Sequence, residues 1–285
     1  MKMRWLILIT VLFLGCTENR TVNDPAELGN ILEKFYQESN PPVLVAAHRA
    51  LHNDYPENSL AAIQAAMDNG VDIAEIDVRR TRDGHLVLMH DGSVDRTTDG
   101  EGKVAEMTLA QIRELALESN DEDTLVHRVP LLEEALLLAK DRIMLDMDMK
   151  SVPVNQLVSM VHQTGTGGQV LFFKRDFTVL DSVLALDSTL LVMPRARAAE
   201  EVPGILEKYH PKILHIDDSF FTEEVVNQIS SAGCRIWING LGVPDVKALT
   251  GFAESAYGPL IAGGANVIQT DQPVILITYL KESVK

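Results

Sequence analysis

The chain has 285 residues, 46% of them hydrophobic and 23% charged, enough apolar side chain for a large core and incompatible with general disorder. With 41 acidic against 25 basic residues the formal net charge is −16, so a basic face able to displace counterions from nucleic acid is excluded. Two cysteines are too few for a disulfide framework, and any anionic substrate has to be recruited locally, by a metal or a few placed cations.

The first residues read as a targeting signal. Lys2 and Arg4 precede an apolar run over 6–14 that is too short to span a bilayer, and Leu14-Gly15-Cys16 sets small residues before a cysteine. The pattern resembles a bacterial lipoprotein signal: residues 1–15 removed, lipid on Cys16, and the protein anchored in the cell envelope facing the periplasm or the surface. A plain secretion signal that happens to end in cysteine is the alternative. Residues 16–42 then form a lipidated tether carrying a short helix over 26–37, and 43–285 form the folded domain.

From residue 43 onward, strand and helix patterns alternate. Short β-rich runs fall at 43–47, 71–78, 142–149, 169–173, 190–193, 212–216, 234–239 and 266–270. Between the first two, Asn58 is expected to cap a helix with Leu60, Ile63 and Met67 on one face and Gly70 as its stop. Further helices are predicted at 131–140, 154–163, 177–186, 198–209, 223–232, 245–256 and 274–281. Eight strands alternating with helices favour an α/β fold of the closed (β/α)8 TIM-barrel type over an open sheet. One extra run, 86–89, follows the second strand too closely for an intervening helix, and Asp83-Gly84 is a hairpin signal. It is expected to return antiparallel, bringing His90 to the level of Asp77. Residues 91–130, with no helix–strand alternation, form a small insertion after this hairpin, and Asp121-Glu122-Asp123 reads as a solvated loop.

In such a barrel alternate side chains face inward, and chemistry collects at the C-terminal strand ends. The 71–78 strand sets Glu75 and Asp77 on one face against Ala74, Ile76 and Val78. The 142–149 strand sets Asp146 and Asp148, continued by Lys150, against Leu145, Met147 and Met149. The first strand ends in His48-Arg49. Buried carboxylates are costly unless they bind something. Carboxylates without cysteine or clustered histidine favour one hard divalent cation, Mg²⁺ or Ca²⁺, over zinc. Such an ion beside Arg49 and Lys150 makes a phosphate site, with His48 and His90 available as general base and general acid.

These stretches resemble the glycerophosphodiester phosphodiesterase family. The resemblance is carried by His48-Arg49, Pro56-Glu57-Asn58-Ser59, Glu75-Ile76-Asp77-Val78, Thr81-Arg82-Asp83-Gly84, His90-Asp91 and Arg96-Thr97-Thr98-Asp99-Gly100. Asp146 through Lys150, Trp237-Ile238-Asn239 and Thr270-Asp271-Gln272-Pro273 extend it to about residues 43–275. It implies a barrel hydrolase that cleaves deacylated phospholipids to an alcohol and glycerol 3-phosphate. It further implies His48 and His90 as acid/base catalysts, Glu75, Asp77 and Asp148 as metal ligands, and Arg49 and Lys150 near the phosphate. Ala50 stands where the family usually has glycine, and Asp148 where it usually has glutamate.

Trp237 is a candidate to stack on the substrate, with packing as the alternative. Glu57 either supports the metal site from behind or stabilises a helix N-terminus. His215, beside Asp217, is expected to be a hydrogen-bonded core histidine. The expected partners are a small phosphodiester and, through the lipid anchor, a membrane. Two competing readings stand: phospholipase D-like cleavage of intact lipids, as in the sphingomyelinase D type, and a non-catalytic surface binding protein on the same barrel. The Pro56-Glu57-Asn58 and Arg96-Thr97-Thr98 segments weigh against the first, and the complete set of catalytic groups against the second.

Overall fold

The computed structural model describes residues 27–119 and 125–283; the expected signal at 1–15, Cys16, and the acidic run at 121–123 lie outside them. A helix at Leu28–Tyr36 buries Ile31 and Phe35 and leads into the first strand. The strands are β1 (Leu44–Ala47), β2 (Ile73–Arg80), β3 (Leu86–Leu88), β4 (Met144–Met149), β5 (Val170–Phe173), β6 (Leu191–Met193), β7 (Ile213–His215), β8 (Arg235–Asn239) and β9 (Val267–Thr270). All but β3 run parallel, in the order β6-β5-β4-β2-β1-β9-β8-β7. An isolated parallel bridge between Arg195 and His215 brings the two ends together, closing a (β/α)8 barrel. Its strands are short, mostly fully buried runs bounded by turn residues, as a sheet covered on both faces requires.

β3 folds back antiparallel on β2 with Val78 opposite Leu88, and Met89 N donates to Asp77 O at 3.0 Å. His90 therefore arrives beside Asp77, as the Asp83-Gly84 turn predicts. The segment after it holds a cluster of its own, in which Val87, Met89, Val94, Val104, Ile112, Leu117 and Val129 pack together. It also contains a short helix, Leu109–Glu114, absent from the sequence reading. The signal is local: Thr108 and Gln111 form a reciprocal capping box.

Two helix expectations change. Ser59, not Asn58, caps the helix Leu60–Asp68, its hydroxyl accepting from Ala62 N at 3.0 Å. Asn58 is drawn away by a stronger pairing with Asp77. The single helix expected over 245–256 is two, Val243–Leu249 and Ala253–Ala262, because Gly251 at φ +87° turns the chain between them. Among the described residues no helix is long and apolar enough to cross a membrane.

Candidate active site

The C-terminal ends of the strands open into a cavity of about 460 Å³ lined by His48, Glu75, Asp77, His90, Asp146, Asp148 and Lys150, among others. Parallel pairing of β2 with β4 puts Glu75 level with Asp146 and Asp77 level with Asp148. Inward-facing positions of two neighbouring strands thus carry four carboxylates in a block. Oxygens of Glu75, Asp77 and Asp148 lie within 4.8 Å of one another. Lys150 Nζ donates to Asp77 Oδ1 at 2.8 Å and to Asp148 Oδ2 at 2.5 Å.

One lysine does not balance this block. Burial, then the charges of Asp77 and Asp146, pushes the Glu75 carboxyl well above the ordinary range. Burial, then Asp148 and Asp77, does the same to Asp146, whose Oδ1 is buried with no hydrogen-bond partner. Burial works against the charge on Lys150, but Asp77 and Asp148 outweigh it and raise its pKa. An oxygen-only donor set with surplus negative charge fits a hard divalent cation, which Glu75, Asp77 and Asp148 would hold.

The loop after β1 is shaped around the same carboxylates. Arg49 and Ala50 both take positive φ, 51° and 63°, so the usual glycine position is occupied by an alanine in the left-handed region that glycine favours. Glu75 pins this turn: its Oε2 accepts from Arg49 N at 2.7 Å and its carbonyl from Ala50 N at 2.9 Å. Asn58 clamps Asp77, donating to Oδ2 at 2.8 Å and accepting from its backbone N at 2.9 Å.

The two histidines are matched in their surroundings. His48 Nδ1 lies 2.8 Å from Asp271 Oδ1, and His90 Nδ1 lies 2.7 Å from Asp91 Oδ1. A carboxylate on Nδ1 orients each ring and leaves Nε2 for the cavity. Arg79 holds the His90 carbonyl through Nε and a terminal nitrogen. Arg96 joins Asp91 to Glu57, and Glu57 in turn accepts from Arg49 at 3.0 and 3.1 Å. Burial favours the protonated form of Glu57, but the Arg96 hydrogen bond and the Arg49 and Arg96 charges bring its pKa below the ordinary value.

Three candidates sit differently from expectation. Arg49 does not line the cavity; its guanidinium binds Glu57, with Nε 3.8 Å from Asp77 Oδ2. Trp237 has no exposure and packs against His215, ring centroids 6.1 Å apart. The His215 ring is not hydrogen-bonded among the described residues: both its nitrogens are buried without a partner, and burial, then Arg195 and Arg175, lowers its pKa well below the usual value. It packs between Phe173 and Trp237. Asn58, Asp91 and Asp271 were present in the motif strings, but their pairings depend on the fold. Lys174, Arg175, Arg195 and Arg197, also lining the cavity, carry no motif.

Residues 48–167 match the Glycerophosphoryl diester phosphodiesterase family. A glycerophosphodiester phosphodiesterase of Caldanaerobacter subterraneus is 46% identical over 100 residues, 35% of this chain and 41% of that protein. The match thus spans less than half the length of that relative. A glycerophosphodiester phosphodiesterase of Bacillus altitudinis is 30% identical over 209 residues, 70% of this chain and 77% of its own. The chain belongs to the glycerophosphodiester phosphodiesterase family. The barrel agrees: the Oleispira antarctica phosphodiesterase, solved in complex with the product sn-glycerol-3-phosphate, superimposes with a TM-score of 0.68 at 23% identity, covering 84% of this chain and 96% of that one. The segment matching the glycerophosphodiester phosphodiesterase family contains both histidines, the three clustered carboxylates, Glu57, Asn58 and Lys150; the cavity wall after β5 and β6 lies outside it.

Proposed function

We propose that the protein hydrolyses glycerophosphodiesters to an alcohol and glycerol 3-phosphate, using a divalent cation at Glu75, Asp77 and Asp148 and the His48/His90 pair for proton transfer. The observation that carries this reading is the meeting, in one cavity, of two carboxylate-backed histidines with an acidic block that fits a cation. The product named for the Oleispira enzyme supports the substrate class. Bound here, the cation would polarise a phosphoryl oxygen and offset charge developing at phosphorus. Lys150, already on Asp77 and Asp148, adds a positive charge at the same oxygens. One imidazole takes the proton of the attacking oxygen and the other protonates the departing alkoxide, each held in its tautomer by its aspartate.

The test is release of glycerol 3-phosphate from glycerophosphocholine, glycerophosphoethanolamine, glycerophosphoglycerol and glycerophosphoinositol. EDTA is expected to lower turnover by about 100-fold or more, with Mg²⁺ or Ca²⁺ restoring it. Turnover insensitive to chelation would remove the metal role. No turnover of any water-soluble diester, with cleavage of intact lipid instead, would favour the phospholipase D-like reaction.

The same reading places the enzyme in the bacterial cell envelope, tethered by lipid on Cys16. Its support is the apolar run over 6–14 and the small residues before that cysteine. Cys16→Ser is expected to move the protein from the membrane to the soluble fraction on cell fractionation. Membrane association that survives the substitution would count against the anchor.

A further inference from the structure

The cavity is divided by sign of charge. Its acidic half comes from β2 and β4. The opposite wall is basic, with Lys174 and Arg175 following β5 and Arg195 and Arg197 following β6. Lys174 Nζ is held in place by the carbonyls of Met149 and Lys150, and the Arg195 guanidinium by Asp217. Arg175 and Arg197 are exposed, and among the described residues neither side chain makes a direct hydrogen bond or ion pair, although the charge of Arg197 helps lower the Asp176 pKa. Asp176, which also lines the wall, accepts from the Thr178 backbone N at 2.9 Å and its hydroxyl at 2.8 Å, and Lys174 and Arg197 act on it only through their charge.

Only Lys174 among these cations feels the charge of the acidic block, through Asp148, and it does so without direct contact. None of the four forms an ion pair with Glu75, Asp77, Asp146 or Asp148; Lys150 does that, and the cation site is built for it. Their placement also runs against the molecule as a whole, because a net charge of −16 repels anions and leaves local cations to recruit them. A cavity of about 460 Å³ has the size of sites that enclose drug-sized ligands, so both halves can be occupied by one molecule.

We propose that Lys174, Arg175, Arg195 and Arg197 form an anion subsite that selects phosphodiesters whose alcohol portion carries a second negative group, such as a phosphate monoester. The inference rests on the phosphodiesterase reading and deepens it by naming the substrate class. With the scissile phosphate at the acidic half, the far end of the substrate lies against the basic wall. There the forked guanidinium donors of Arg175 and Arg197, neither engaged in a direct hydrogen bond or ion pair among the described residues, meet the second anion.

The experiment compares glycerophosphoinositol with glycerophosphoinositol 4-phosphate, which differ by one phosphate, on the full-length metal-loaded protein and its Arg175→Gln/Arg197→Gln variant. Both arginines are exposed, so the variant is expected to keep the fold. For the native chain, kcat/KM is expected to be about tenfold or more higher on the phosphorylated diester, and the variant to bring that ratio close to one. Equal values on both compounds, or a ratio unchanged in the variant, overturns the subsite while leaving the phosphodiesterase reading intact. If neither diester turns over, that reading fails, and calorimetric titration of the same compounds decides the subsite alone. Tighter binding of the phosphorylated compound that is lost in the variant supports it; equal or absent binding overturns it.

Discussion

Replacing either His48 or His90 with alanine is expected to lower kcat by about 10²–10⁴-fold, the contribution typical of a positioned acid or base, with little change in thermal stability. The imidazoles belong to the site rather than to the core. Their side chains are 20% and 33% exposed, and each makes its one strong contact, to Asp271 or Asp91, through Nδ1. Truncation therefore empties space at the cavity and leaves the apolar interior intact. The two variants are further expected to be non-additive, because an acid and a base serving one displacement act as a unit. Steady-state kinetics on glycerophosphodiesters, with a melting curve for each protein, checks this. A fall in Tm matching the fall in rate, or unchanged turnover, would mean a structural role.

The second large effect is at the opposite end of the barrel. Arg235, at the start of β8, is 3% exposed. Its Nε donates to Phe35 O at 2.9 Å, one terminal nitrogen to Pro42 O at 2.8 Å, and the other to Lys34 O. Two of these carbonyls lie in the last turn of the helix Leu28–Tyr36, where backbone oxygens lack intrahelical donors and a positive charge is favoured. Burial lowers the arginine pKa only to about 10, so it stays charged at neutral pH. Arg235→Ala strips four backbone carbonyls, those of Lys34, Phe35, Pro42 and Asn266, of a charged donor and loosens the helix whose Ile31 and Phe35 cover the barrel floor. We expect a loss of about 3–4 kcal/mol, seen as a Tm lower by about 10 °C, with kcat unchanged at 25 °C. A shift within a degree or two would show that water replaces the guanidinium at little cost.

Much of the barrel could be read from local pattern. The eight parallel strands are short apolar runs separated by helical periodicity, and the Asp83-Gly84 hairpin followed from a connection too short for a helix. Glu75, Asp77, Asp146 and Asp148 stood out because alternation put charge on a face that a barrel buries, and the register of β2 with β4 sets them side by side. What stayed hidden depends on distant partners. Asp271 meets His48 across 223 residues of chain. Asn58 has the composition of a helix cap, and only the approach of Asp77 explains why Ser59 takes that place. Arg49 reads as a phosphate ligand, and its pairing with Glu57 shows only in the fold. Lys174, Arg175, Arg195 and Arg197 each look like ordinary loop charges, and only closure of the strands in a circle puts them on one wall. The break at Gly251 was missed because the apolar pattern continues on both sides of it.

The join between β6 and β7 is one bridge wide. Two backbone hydrogen bonds hold it, Ala196 N to His215 O and His215 N to Pro194 O, both 3.0 Å, with the Arg195–Asp217 ion pair beside them, whereas β2 and β4 share six register pairs. A cylinder fastened so unevenly loosens first along its weakest seam, since fewer bonds must part there. Arg195 is one of the two residues of that bridge and also a member of the basic wall. The proposed subsite therefore sits on the seam, and an anion bound at Arg195 would bear on the edges at which the barrel parts first.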